Sequence, residues 1–217
     1  MEVVRLILNW NADTERVSLE RVKTALKLAS RAGYIDIVQC LVEYGTAVNT
    51  LTSVHRVTLA LTSALNQAIE NHADVAAFLL DNGADFNVSS STHASVWIHA
   101  CSRGSPAMVR LLLARGADLS TIDKSGWSPL RAALQNSEVL KLLLEHGANP
   151  TLDPAATGYT PLMIAAGRVD VNVVRLLLEH GADVTQVNWE GKSVLGQNPE
   201  FNEVRELCQT DRKPVLK

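Results

Sequence analysis

Leu142-Leu-Leu-Glu-His-Gly-Ala148 and Leu176-Leu-Leu-Glu-His-Gly-Ala182 are the same seven residues, set 34 positions apart. Looser versions precede them: Cys40-Leu-Val-Glu-Tyr-Gly-Thr46, Phe78-Leu-Leu-Asp-Asn-Gly-Ala84 and Leu111-Leu-Leu-Ala-Arg-Gly-Ala117. The five glycines, Gly45, Gly83, Gly116, Gly147 and Gly181, are spaced by 38, 33, 31 and 34 residues. One period therefore organises the chain, with small insertions and deletions. Such a period is the mark of a repeat array, in which each unit is too small to bury its own apolar face and depends on stacking. The leucine runs read as a helix supplying a shared core. The glycine after the last turn accepts a left-handed backbone and ends that helix.

A second phrase precedes each copy. It is clearest at Ser128-Pro-Leu-Arg-Ala-Ala133 and Thr160-Pro-Leu-Met-Ile-Ala-Ala166, and weaker at Thr24-Ala-Leu-Lys-Leu-Ala29, Thr62-Ser-Ala-Leu-Asn-Gln-Ala68 and Ser95-Val-Trp-Ile-His-Ala-Cys101. Ser or Thr is a good helix N-cap, and Pro suits the first helical position. The alanine pair keeps this helix thin, so that neighbouring repeats can approach. Together the two phrases resemble the ankyrin family, whose repeats carry Thr-Pro-Leu-His, a small-residue helix, Leu-Leu and Gly-Ala. The resemblance covers about residues 19–185 and implies an all-α ankyrin-repeat solenoid of stacked helix-turn-helix units with projecting turns.

The reading divides the chain into a half-repeat or cap at 1–18, five repeats at about 19–49, 57–89, 90–122, 123–153 and 155–187, a degenerate cap at 188–209 and a frayed tail at 210–217. About five extra residues around Thr50–Thr58 are expected to project from the loop face. About two residues are missing near Gln135–Glu138, which shortens the turn between that copy's helices. The family's histidine after Pro-Leu is absent, those slots holding Lys27, Leu65, Ile98, Arg131 and Met163. Asn66 and His99 share the next slot in adjacent repeats, so a hydrogen-bonded Asn–His contact is expected there, with a polar ligand site as the sharper alternative. Trp97 fills a core leucine slot.

Several function classes drop out. A formal charge of −3 gives no general electrostatic case for nucleic acid, and no polybasic run suits an anionic membrane. No apolar run approaches the ~20 residues that span a bilayer. Cys40, Cys101 and Cys208 are odd in number and scattered, the pattern of reduced thiols in a cytoplasmic or nuclear protein. No phosphate-cradling loop, dinucleotide fingerprint, nucleophile elbow or zinc-protease motif is present. His99 and Cys101 lie two apart on a helix and point in different directions. His146 and His180 recur one per repeat, where a cation near a helix C-terminus is favourable without any ligand. The expectation is no catalysis, no cofactor and no metal.

The family resemblance implies binding on a concave face built from turn tips and inner helices. Carried over by alignment, that face includes Lys124, Ser125, Trp127, Tyr159, Trp189 and Glu190 from the turns. Arg103, Asn136 and Arg168 come from inner helices, and Arg115 from a helix end. Trp127, Tyr159 and Trp189 fall on consecutive turns that the repeat has no need to bury, and Trp, Tyr and Arg dominate binding hot spots. Arg103 and Arg168 occupy one slot two repeats apart, suited to a partner carboxylate. The expected function is a protein-interaction module, monomeric without its partner, that binds a protein or peptide bearing acidic groups. The alternative is a stand-alone enzyme or small-molecule binder with a pocket in the same groove, drawing on Glu70, His99, Arg103 and Asp123.

Overall fold

Pro106, Pro129 and Pro161 each follow a hydroxyl residue, and each opens a helix. A proline inside a helix would lose an N–H bond and clash with the preceding turn, so the helix starts at it. The computed structural model describes residues 15–48, 54–87, 95–124, 126–151, 158–168, 170–197 and 202–210. Of the expected half-repeat at 1–18, residues 1–14 lie outside them and 15–18 instead belong to the helix Glu15–Ala32; the tail after 210 also lies outside them.

Twelve α-helices occur among the described residues. They are α1 Glu15–Ala32, α2 Ile35–Val48, α3 Val54–Ala68, α4 Ala73–Asp81, α5 Val96–Arg103 and α6 Pro106–Ala114. After these come α7 Pro129–Ala132, α8 Ser137–Glu145, α9 Pro161–Gly167, α10 Val171–Glu179, α11 Val194–Gln197 and α12 Asn202–Thr210. They fall into two compact units, Met1–Ala117 and Asp118–Lys217. In the first, α1, α3 and α5 pack in one row, and α2, α4 and α6 in a second. In the second unit, α9 packs on α11, and α8, α10 and α12 form the other row. Among the described residues there is no strand, only an isolated bridge between Val187 and Ser193.

The local chemistry repeats with the period. Ser95, Ser105, Ser128, Asn136, Thr160 and Asp170 each cap a helix by accepting the N–H three residues on. At the other end, Ala84, Ala117, Ala148 and Ala182 donate N–H groups to leucine carbonyls of the last turn at 2.9–3.0 Å. The glycine before each lies at φ between +83° and +91°. That is the Schellman ending. Two residues past each glycine stands Asp85, Asp118, Asn149 or Asp183, whose carboxylate or carboxamide oxygen accepts the N–H two residues further on. This local bond, with the Ser120 hydroxyl, holds the Asp118 carboxyl below the usual carboxylate range.

The first two repeats depart from the expectation. Thr24 and Thr62 lie inside α1 and α3 and not at their starts. Ala25 and Ser63 follow them where proline stands in the later copies, so nothing forces a helix start. The extra residues from Val54 onward thus extend α3 at its N-terminus, while 49–53 lie outside the described residues. Thr62 instead accepts the N–H of Asp85 at 2.9 Å. The first copy also runs through Gly45 to Val48. Its position two past the glycine is Ala47, which cannot accept the turn-closing bond. Near Gln135–Glu138 the short copy ends α7 in a 3₁₀ turn, Ala133–Gln135, and Asn136 caps α8 at once.

The core is aliphatic, with Trp97, Leu41, Leu65, Leu79, Leu112, Leu140, Leu143 and Leu162 among its fully buried side chains. Cys40, Cys101 and Cys208 are buried and form no disulfide among the described residues, and burial pushes the Cys101 thiol well above its ordinary value. Among the described residues, no helix is long and apolar enough to cross a membrane.

Candidate interaction surface

Two projecting loops of the second unit are built alike. Asp123 donates its N–H to the Trp127 carbonyl at 3.0 Å, Gly126 donates to the Asp123 carbonyl at 3.0 Å, and the Trp127 N–H donates to the Asp123 carboxylate at 2.8 Å. One repeat pair later, Asn188 donates to the Lys192 carbonyl at 3.0 Å and Gly191 to the Asn188 carbonyl at 2.9 Å. The Asn188 carboxamide oxygen accepts from Lys192 at 2.9 Å and from Glu190 at 3.0 Å. The loop between them carries Gly158, where an added Cβ would lie 3.0 Å from the Trp189 nitrogen. The 158 and 189 turns are therefore in direct contact.

This register separates the three aromatic candidates. Trp127 and Tyr159 each follow the loop glycine, a position held by Lys192 in the last loop. Trp189 stands where Lys124 stands in the first loop, at the tip itself. They occupy consecutive turns, as the sequence implies, but two different columns. Trp127 is 39% exposed and lies under the Arg131 guanidinium, 5.6 Å from the ring centroid, a cation–π contact. Tyr159 is half-buried. Trp189 is 74% exposed, beside exposed Val187.

The other candidates divide by what their side chains already do. Lys124 and Arg168 are exposed and carry no ion pair among the described residues; Ser125 lies outside them. Glu190 binds Lys192 at 3.0 Å, and this bond and its charge raise the Lys192 ammonium's pKa. The Asn136 carboxamide accepts the Val139 N–H at 3.2 Å, capping α8. Replacing it, Asn136→Ala, is expected to lower stability by about 1 kcal/mol in a urea titration, the usual worth of an N-cap. Sequence reasoning missed Arg131 as a surface residue, because it was read only as the replacement for the family histidine. Its spacing of four from Trp127 was the available signal.

In the first unit, Arg103 is exposed at the end of α5, eight residues after its cap Ser95. Arg168 stands eight after Thr160 in the second unit, so the shared slot is real within each repeat. Arg115 is ion-paired to Asp81 at 3.0 Å, a half-exposed bridge between successive helix ends. Exposed pairs of this kind contribute up to about 1 kcal/mol. The expected Asn–His contact is present: His99 Nδ1 lies 2.8 Å from the Asn66 carboxamide oxygen. Beside it is a polar cleft of about 490 Å³ that Glu70 also lines. Asp123 belongs to the other unit. Among the described residues, no group of three His, Cys, Asp or Glu side chains could hold a metal ion.

Paired helices stacked in two rows, Schellman endings and projecting hydrogen-bonded loops define a helical repeat protein. The chain matches the family model described as ankyrin repeats (3 copies) over residues 1–90 and 97–188, and it belongs to the ankyrin-repeat family. Ankyrin repeats are in general protein–protein interaction modules. The chain is 30% identical over 147 residues to an ankyrin repeat and KH domain-containing protein of Caenorhabditis briggsae, covering 67% of this chain and 5% of that protein. It is 28% identical to the palmitoyltransferase AKR1 of Lachancea kluyveri, over 69% of this chain and 20% of that one. A putative ankyrin repeat protein of Escherichia coli, YahD, is 28% identical over 70% of this chain and 93% of its own length. The likeness to the first two thus spans only a small part of each.

Proposed function

We propose that the second unit binds a partner protein or peptide carrying acidic groups across its projecting loops, without catalysis, in the cytoplasm or nucleus. The observation that carries this reading is Trp189, an indole 74% exposed at a loop tip that the repeat can close without it. Large exposed aromatics lose solvent-exposed area on capture, and Trp is the residue most enriched in hot spots. Trp127, Tyr159 and Val187 widen the apolar contact. Lys124, Arg131 and Arg168 surround it with positive charge, which favours carboxylates by charge-assisted hydrogen bonds. Glu190 is the acidic member, and its charge is already met by Lys192. The 123–127 and 188–192 loops are closed by their own hydrogen bonds, so little ordering entropy is lost there on binding. Ser125 and Asn136 enter as polar contacts of the second unit, whereas Arg103 and the Asp81-paired Arg115 belong to the first unit and are not part of this surface.

Panning a peptide display library on the full chain tests this. The enriched sequences should be rich in Asp and Glu around an apolar anchor and should bind less tightly as salt rises. The pair Trp127→Ala with Trp189→Ala should weaken the best of them at least about tenfold, a hot-spot effect, with helical circular dichroism unchanged. Peptides without acidic bias, or binding indifferent to the double variant, would remove the proposal. A collapse of helical signal would instead assign the aromatics to the fold.

A further inference from the structure

We propose that the polar cleft of the first unit is a second binding site, shaped for a short zwitterionic ligand of peptide type with a free ammonium and a free carboxylate. The inference stands apart from the aromatic surface of the second unit and does not rest on it.

The cleft's walls are two fixed imidazoles. His99, on α5, is tied through Nδ1 to the Asn66 carboxamide oxygen of α3 at 2.8 Å. His72, in the turn after α3, is tied through Nε2 to the Arg31 carbonyl at 3.1 Å, with its ring against Gly33. Since both acceptors are carbonyl-type oxygens, each imidazole spends an N–H on the protein. Three repeats are thereby joined around one polar opening of about 490 Å³, within the size range of small-ligand sites.

What remains for a ligand is specific in charge. The Arg31 guanidinium and the Glu70 carboxylate both line the cleft, yet they do not pair with each other or with any other described residue. Gln67 and Asn71 complete the lining, and their carboxamides make no bond among the described residues. A carboxamide offers both donors and acceptors, the complement of a peptide main chain. One cationic pole, one anionic pole and neutral amides match a ligand with a carboxylate at one end, an ammonium at the other and amides in the middle. The lining has no aliphatic or benzenoid side chain for an apolar guest. A multiply charged anion such as phosphate would meet Glu70 as well as Arg31, which disfavours it.

The probe is triglycine, titrated into the ¹⁵N-labelled full chain and followed by the side-chain amide resonances of Asn66, Gln67 and Asn71. Saturable shifts confined to these groups and their neighbours are expected. Acetylating the amino end or amidating the carboxyl end should each weaken binding about tenfold, the loss of one charge-assisted bond. Arg31→Gln should abolish the difference between triglycine and its amide. Glu70→Gln should abolish the difference between triglycine and its acetyl form. Both residues are exposed, so the backbone spectrum should stay that of the parent. Absence of saturable shifts would overturn the proposal. So would equal binding of a doubly blocked peptide, or end-group discrimination that survives in both variants. Tighter binding of inorganic phosphate than of triglycine would make the cleft an anion site and overturn it too.

Discussion

Trp97→Ala is expected to cost about 3–5 kcal/mol of stability, enough to leave the first unit partly unfolded at physiological temperature, given net stabilities of about 5–15 kcal/mol for a domain. Trp97 is 0% exposed and sits on α5 among the aliphatic side chains of the first unit. Its main-chain N–H also donates to the Phe86 carbonyl at 3.1 Å, so the indole is anchored where the chain enters the helix. Truncation removes the transfer energy of a large ring and leaves a cavity that two rows of packed helices cannot close. Trp189→Ala supplies the contrast. That ring is mostly in solvent, and its loss should change the urea midpoint by no more than about 0.5 kcal/mol equivalent. Equal effects for the two substitutions would mean that burial does not distinguish the core indole from the loop indole.

Gly33→Ala is the second large effect, at about 2–3 kcal/mol. Gly33 lies at φ +75°, a left-handed conformation that costs an L-residue about 1–2 kcal/mol. An added Cβ would also land on the His72 ring. The ring must then swing away and give up its 3.1 Å bond to the Arg31 carbonyl, worth about 0.5–1.5 kcal/mol. A double-mutant cycle separates the two parts. In a His72→Ala background the same glycine substitution should cost only the backbone share, and the difference is the coupling between the residues. Zero coupling would show that the histidine accommodates the methyl group without loss.

How legible each repeat was depended on a few residues with strict backbone demands. Pro129 and Pro161 admit only a helix start, and the glycine–alanine–Asx endings admit only a stop, so the later repeats could be read closely. Upstream, Ala25, Ser63 and Ala47 replace proline or Asx with residues that tolerate helix continuation. The helices accordingly overrun, and what looked like a loop insertion became extra turns of α3. The Asn66–His99 contact was legible because slot equivalence in a stacked array implies adjacency. The surface was less so. Aligning on the loop glycines Gly126, Gly158 and Gly191 would have separated Trp189, in the Lys124 position, from Trp127 and Tyr159, which follow the glycine; the degenerate last copy obscured that register. Asn136 was read only as a groove residue; the two-residue deletion near Gln135–Glu138 also makes it the cap of α8.

The loops that carry Trp127 and Trp189 draw their shape from Asp123 and Asn188, whose side chains bond the main chain from the base. The residues at the apex, Lys124 in one loop and Trp189 in the other, contribute nothing to that closure. A cation and an indole already ride on the same backbone in a single molecule. The apex is thus a socket that accepts unlike side chains without refolding, so under the function proposed above a few apical replacements would change what the loops grip and leave the scaffold beneath unaltered.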